Sequence, residues 1–271
     1  MQSYLDRKGF SIPVAFCPER VAQGQSLREF RELPQIVSAF EPDTLADVCE
    51  LFGRFAPELI EMAPMEAELC KLMTNAWRYL QFATVNQFYM IASQHGVDFN
   101  RILHGCRHNY PRMKGMPGPG FAAGPCLVKD TMQLAAFSQN HFVLGHAAML
   151  INEGLPAHLI QLAKKERDLR ISTVGILGMT FKAESDDTRD SLSFKLRKLL
   201  MLESPEVMYH DPYWQGEGVA PLEDVLEEAD VIFIGTPHKL YKHLQFRPEV
   251  LVIDVWGCTR ANESAANLVN A

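Results

Sequence analysis

Ile171-Ser-Thr-Val-Gly-Ile-Leu-Gly178 is an apolar run too short for a helix and closed by a glycine. It reads as a buried strand. A loop and a helix around 190–203 follow, then further apolar runs at 206–209, 231–235 and 250–254, with a helical pattern over Leu222–Glu228. Strands alternating with helices imply right-handed βαβ crossovers and a parallel sheet. Residues 166–271 therefore read as a C-terminal doubly wound α/β domain. Ligands of such sheets lie beyond the carboxyl ends of the strands, here at 178–189, Asp211 and Thr236-Pro237-His238.

Upstream the pattern changes. Residues 64–95 read as one long helix: Pro64 suits the first helical position, Glu66 and Glu68 the first turn, and Gly96 the position just past the end. At 1.5 Å per residue it spans roughly 45 Å. Its Phe, Tyr, Trp and Met residues need apolar neighbours on several sides, as in a domain connector and dimer face. Further helices are expected at 98–106, 130–138 and about 142–165, which makes 64–165 a central helical domain. Phe142, Val143, Leu144, Met149, Leu150 and Ile151 read as a core stripe of the last of these. Residues 1–63 read as a partial Rossmann-type piece. Short apolar runs at 13–18, 35–40 and 58–63 flank a helical pattern over 44–55, with Asp43 or Thr44 as N-cap.

The 271 residues suffice for more than one core, and 47% hydrophobic with 22% charged residues is an ordinary globular composition. A net charge of -7 argues against nucleic acid. The 6 cysteines, without C-x-x-C pairs, read as reduced cytosolic thiols. No apolar run approaches the ~20 residues of a membrane helix, and the first residues carry no apolar signal core, so a cytoplasmic location without a membrane partner is expected. His104-x-Cys106-x-His108 offers three ligand types at two-residue spacing, without the fourth ligand or the spacing of a structural zinc site. Polar residues at a helix end are the expected reading, and no metal is assigned.

The richest chemistry lies in Gly118-Pro-Gly-Phe-Ala-Ala-Gly-Pro-Cys126-Leu-Val-Lys-Asp130. Glycines let a backbone come close to a ligand. The spacing suits a helix starting just after Cys126, with Asp130 one turn on and on the same face. A thiol at the positive end of a helix dipole with Lys129 nearby is in the environment of a nucleophile.

These features resemble the UDP-glucose/GDP-mannose dehydrogenase family. The resemblance runs from about residue 10 to residue 257. It is carried by Pro18-Glu19-Arg20-Val21 with Gly24; Lys71-Leu72-x-x-Asn75-Ala76; Pro111-Arg112; Gly124-x-Cys126-x-x-Lys129-Asp130; and Gly175-Ile-Leu-Gly178-Met-Thr-Phe181-Lys182 followed by Asp186-Asp187-x-Arg189-x-Ser191. It implies two successive NAD-dependent oxidations of a sugar C6 alcohol to a carboxylate, with Cys126 forming a thiohemiacetal and then a thioester. It assigns Lys71 and Asn75, one turn apart on the long helix, to the oxyanion. Asp130 would position water and Glu19 would act as a water-mediated base. Arg112, Phe181, Lys182 and Gly124 fall on the sugar nucleotide, with Arg112 reaching one bound to a neighbouring subunit. Arg189 and Lys129 fall on NAD. Asp186-Asp187 reads as a loop cap, not a metal site. Gln23 stands where many relatives carry a second glutamate, and Asp254-Val-Trp256-Gly replaces an arginine-bearing version, so no roles are carried onto these.

The NAD fingerprint Gly-x-Gly-x-x-Gly is absent from the sequence. By the resemblance, the chain begins near the last third of the NAD-binding domain. It is expected to be the substrate-side part of a truncated or split enzyme that binds NAD poorly. Residues 10–62 would be the least stable region unless a separate NAD-domain polypeptide supplies more strands. Other readings stay open: a non-catalytic UDP-sugar-binding or dimerising subunit, and a zinc module at 104–108. A homodimer through 64–95 is expected. Ala122-Ala123-Gly124-Pro125-Cys126 is closer to the pattern of UDP-N-acetylhexosamine enzymes than to that of glucose enzymes, which suits bacterial surface polysaccharide synthesis.

Overall fold

A computed structural model describes residues 2–259. The chain is mixed α/β and divides into two compact units, 1–75 and 76–271. The boundary falls inside one helix.

The first unit holds α1 (Gln2–Arg7), α2 (Ser26–Glu32), β1 (Gln35–Val37), α3 (Pro42–Gly53), β2 (Leu59–Glu61) and the opening turns of α4 (Pro64–Gln94). β1 and β2 pair in parallel, Gln35 opposite Leu59, with α3 as the crossover. Ile36 and Val37 are its buried centre. The run at 13–18 forms no strand and contributes a lone antiparallel bridge, Ala15 to Ala39. The helix expected from Asp43 or Thr44 starts earlier. Pro42 takes the first turn, where its missing N–H costs nothing, and Glu41 precedes it. α4 starts as its sequence suggests: the Glu66 carboxylate accepts from Ala63 N–H at 2.8 Å, satisfying an amide at the helix entry.

The second unit contains the rest of α4, then α5 (Phe99–Arg107), α6 (Leu127–Phe137) and α7 (Val143–Glu166). After them come β3 (Thr173–Leu177), α8 (Leu192–Leu200), β4 (Glu206–His210), α9 (Leu222–Glu228), β5 (Val231–Ile234) and β6 (Leu251–Ile253). The sheet order is β4-β3-β5-β6, every pair parallel, with Leu177 level with His210 and Ile234. Helices cover both faces, and β5 and β6 are apolar and buried along their whole length. One hydrophobic cluster joins Val85 and Tyr89 of α4 and Leu155 and Leu159 of α7 to Val174, Ile176 and Phe233 of the sheet and Leu196 of α8. The later helical and sheet layers thus share one core.

In the second unit three further expectations need correction. The strand begins at Thr173; Ile171 lies in a 3-10 turn and is 82% exposed. α6 begins at Leu127, directly after Cys126 as the spacing of that loop predicts, which extends the helix expected over 130–138 by three residues at its start. Most importantly, α7 buries the face of Gly145, Ala148, Asn152, Leu155 and Leu159, at helical spacing. Val143 (72%) and Leu150 (69%), taken as core, lie exposed with Leu144. In the first turns of α7 the small residues Gly145 and Ala148 face inward while Val143, Leu144 and Leu150 turn outward; further along, Leu155 and Leu159 join the core shared with the sheet.

Candidate active site

The loop before α6 is held at successive points. Gly120 has φ +148, and a Cβ there would lie 2.1 Å from the Trp256 ring, so the indole fills the space a side chain would need. Phe121 and Ala122 are buried, Phe121 edge-on to Trp256 at 6.4 Å between centroids. Gly124, at φ +98, lies against the Phe181 ring, which a Cβ would approach to 2.6 Å. Its N–H points to Asp190 O at 3.4 Å. Cys126 then occupies the N-cap of α6 and is exposed. Asp130 N–H donates to Cys126 O at 2.9 Å, the first bond of the helix. The Asp130 carboxylate, one turn on, is buried, with Lys129 Nζ at 3.3 Å.

A second loop, after β3, meets the first. Gly178 turns at φ +98 and donates its N–H to His210 O at 2.8 Å. Asp211 anchors this loop, with its side chain fully buried. Oδ2 accepts from Met179 N–H (2.7 Å) and Thr180 N–H (3.0 Å), and Oδ1 from Tyr213 N–H (2.8 Å) and Trp214 N–H (3.1 Å). His238 Nε2 lies 3.2 Å from Oδ2, and its Nδ1 accepts from Glu184 N–H at 3.1 Å, which puts the ring proton on Nε2. Burial opposes ionisation of Asp211, but the bonds from His238, Met179, Tyr213 and Thr180 outweigh it and hold its pKa down at about 2. Glu184 in turn accepts from Tyr213 Oη and Lys239 N–H.

Asp187 acts as the loop cap expected of it: it accepts from Arg189 N–H at 3.0 Å and grips the guanidinium, Nη2 to Oδ2 at 2.6 Å. That hydrogen bond and the Asp187 charge raise the Arg189 pKa, with a smaller contribution from the nearby Cys126. Phe181 N–H donates to Asp187 O at 3.0 Å, closing the loop. Within the second unit the fold therefore gathers Gly124 with Phe181 and Lys129 with Asp130, and Cys126 lies within electrostatic reach of Arg189. Lys182 lies exposed on the same loop. Arg112 is held elsewhere, in a 3-10 turn, where Nη1 donates to Tyr110 Oη at 2.9 Å and the guanidinium covers that ring.

In the first unit, Lys71 Nζ donates to the backbone oxygen of Glu19 at 2.5 Å, joining two residues 52 apart in sequence. The Glu19 side chain is exposed and Asn75 is buried. His104 and His108 lie ring to ring, 5.1 Å between centroids, at the end of α5. Among the described residues no group of three or more His, Cys, Asp or Glu is arranged to hold a metal. None of their helices is long and apolar enough to cross a membrane. The glycine turn after β3, at Gly178, is closed by the Thr236 backbone, with a Cβ position only 2.5 Å from Thr236 N.

The anchoring roles of Asp211, His238 and Trp256 were not readable from spacing. Asp211 and His238 gave one signal, their place at the carboxyl ends of β4 and β5.

Comparison with known proteins agrees with this geometry. Residues 65–154 match the central domain of the UDP-glucose/GDP-mannose dehydrogenase family, and residues 175–261 match that family's UDP binding domain. The chain is 31% identical over 247 residues to a UDP-N-acetyl-D-mannosamine dehydrogenase of Pyrococcus horikoshii, covering 89% of this chain and 58% of that protein. The structure of a UDP-D-ManNAc dehydrogenase from Pyrococcus horikoshii superposes with a TM-score of 0.86 at 27% identity, over 95% of this chain and 65% of that one. A UDP-glucose dehydrogenase from Pyrobaculum islandicum gives 0.83 at 25% identity, over 93% and 62%. The chain thus spans less than two thirds of the length of these relatives. With both matched domains in order along the sequence, and the cysteine loop and sheet-end loop meeting in the fold, this chain belongs to the UDP-glucose/GDP-mannose dehydrogenase family.

Proposed function

We propose that this chain carries the nucleotide-sugar side of an NAD-dependent UDP-sugar 6-dehydrogenase, with Cys126 as covalent nucleophile. The observation that supports it most is the exposed thiol at the N-terminus of α6, one turn from the buried Asp130. Relatives named for UDP-N-acetyl-D-mannosamine favour an N-acetylhexosamine substrate.

In this reading C6 of the sugar passes from alcohol to carboxylate, losing four electrons to two NAD. The steps left to the chain's own residues are nucleophilic. The Cys126 sulfur adds to the aldehyde carbon; a C–S bond forms and the carbonyl π pair moves to oxygen. Lys71 and Asn75 are assigned to stabilising that oxygen. At the thioester, water held by Asp130 adds to the acyl carbon, the C–S bond breaks and the thiolate leaves. Glu19 is assigned as water-mediated base. Gly124, Phe181, Lys182 and Arg112 are assigned to the sugar nucleotide, and Arg189 and Lys129 to the NAD diphosphate.

Met73, Trp77, Phe88 and Ile91 form an exposed apolar line on α4 at helical spacing, which supports a homodimer through 64–95. The free cysteines support a reducing, cytoplasmic setting.

The test is NADH formation from UDP-N-acetylmannosamine, UDP-N-acetylglucosamine and UDP-glucose. Each is assayed with the chain alone and with a supplied dinucleotide-binding domain. Turnover is expected in the complemented assay. Cys126→Ser should lower it at least about a thousandfold, and Lys71→Ala about a hundredfold. A folded, complemented chain that binds UDP-sugar without turnover, or a Cys126→Ser variant as active as the parent, would leave a non-catalytic binding subunit.

A further inference from the structure

Two asparagines outside the assigned site are completely buried in the second unit: Asn86 on α4 and Asn152 on α7. Asn86 Nδ2 donates to Gly120 O and to Asn152 Oδ1, both at 2.9 Å. Its Oδ1 accepts from Gly120 N–H, also at 2.9 Å. Asn152 Nδ2 donates to Tyr79 O at 3.1 Å, one face of α4 thus presenting both ends of the chain of bonds. Turning the Asn86 amide over would set donor against donor and acceptor against acceptor at Gly120, so the network has a single orientation. One carboxamide therefore grips both polar groups of the Gly120 peptide.

The grip falls where the loop needs it. Gly120 has a backbone conformation that side-chain-bearing residues avoid, with Trp256 packed over it. Ala122 packs in a cluster with Tyr79, Ala83 and Ala148. Without such fixing, a segment holding Gly115, Gly118, Gly120 and Gly124 would lose much chain entropy on ordering. A polar pair that served only to register α4 against α7 would need the Asn86–Asn152 bond alone. Both further bonds of Asn86 leave the helix pair for the loop that ends at Cys126.

We infer that Asn86, oriented by Asn152, is a positioning residue that clamps the 118–126 loop and thereby sets where the Cys126 thiol stands. The functional meaning of the clamp rests on the nucleophile reading above; its structural test does not. Amide hydrogen exchange of the full chain is compared with that of Asn86→Ser, which removes the carboxamide that grips Gly120, and Asn152→Ser, which removes the acceptor that orients it together with the bond to Tyr79 O but leaves both bonds to Gly120. Exchange over 118–126 is expected to rise at least about tenfold in the first and about threefold in the second, with β3 and β5 unchanged. The iodoacetamide alkylation rate of Cys126, measured against Cys106 of the same chain, should fall about threefold in Asn86→Ser as the thiol leaves its fixed place. Where the complemented enzyme turns over, kcat of that variant should drop about tenfold with KM within about twofold.

Wild-type exchange over 118–126 in a folded Asn86→Ser chain would overturn the clamp. Protection lost evenly across the second unit in both variants, or failure of both to fold, would assign the pair to the core and also overturn it. Absence of turnover in the unmutated enzyme would remove the dehydrogenase reading and leave the exchange result standing.

Discussion

Single residues decide the geometry around the candidate site, and the glycines show it best. Gly178 combines φ +98 with a Cβ position 2.5 Å from the Thr236 backbone, which cannot step aside as a side-chain tip could. Gly118 has open space around the same position and no positive φ. Gly178→Ala should therefore cost about 3 kcal/mol in denaturant unfolding, whereas Gly118→Ala should change stability by less than about 0.5 kcal/mol. Equal losses at the two positions would show that backbone crowding after β3 is not what requires glycine. Their sequence contexts, Leu177-Gly178-Met179 and Pro117-Gly118-Pro119, do not reveal this difference. It depends on Thr236, which lies 58 residues further along.

At the scale of elements, the strand-end loop after β3 depends on a buried carboxylate. Asp211, on the residue after β4, ties Met179 and Thr180 to Tyr213, Trp214 and His238. Its folded pKa of about 2 lies below the usual 3.8, so its stabilisation is complete above the higher value and is lost as pH falls through the lower. The whole difference corresponds to roughly 2 kcal/mol. The stability gap between the parent chain and Asp211→Asn should therefore narrow by about 1 kcal/mol between about pH 6 and about pH 3. A gap that stays constant over that range would mean that the carboxylate is not the charged anchor of this loop. The sequence placed Asp211 and His238 at strand ends, but it did not show that they bond each other instead of facing a ligand.

For the molecule as a whole, burial is uneven between the two units. The first buries Ile36, Val37 and Ala67 among its hydrophobic residues, whereas the second builds every multi-residue cluster of the described core. Amides of β1 and β2 should therefore exchange at least about tenfold faster than those of β3 and β5 under native conditions. Matching protection in the two sheets would refute this ranking. The scarcity of strands in residues 10–62 predicts the same ranking, and that region holds a two-stranded sheet with few buried hydrophobic residues.

The sequence by itself determined the parallel sheet of 173–253, the long helix from Pro64 and the cysteine just ahead of a helix. Those features are written in local periodicity, in turn residues and in the start and stop signals of helices. Only the tertiary structure decided that Val143 and Leu150 face outward, that Trp256 fills the place of a Gly120 side chain, and that Asn86 holds Gly120 across 34 residues of chain. Each of these is set by which surfaces meet when distant segments pack. A helical repeat tells that one face will be buried; the small residues of α7 and the partners they admit choose which.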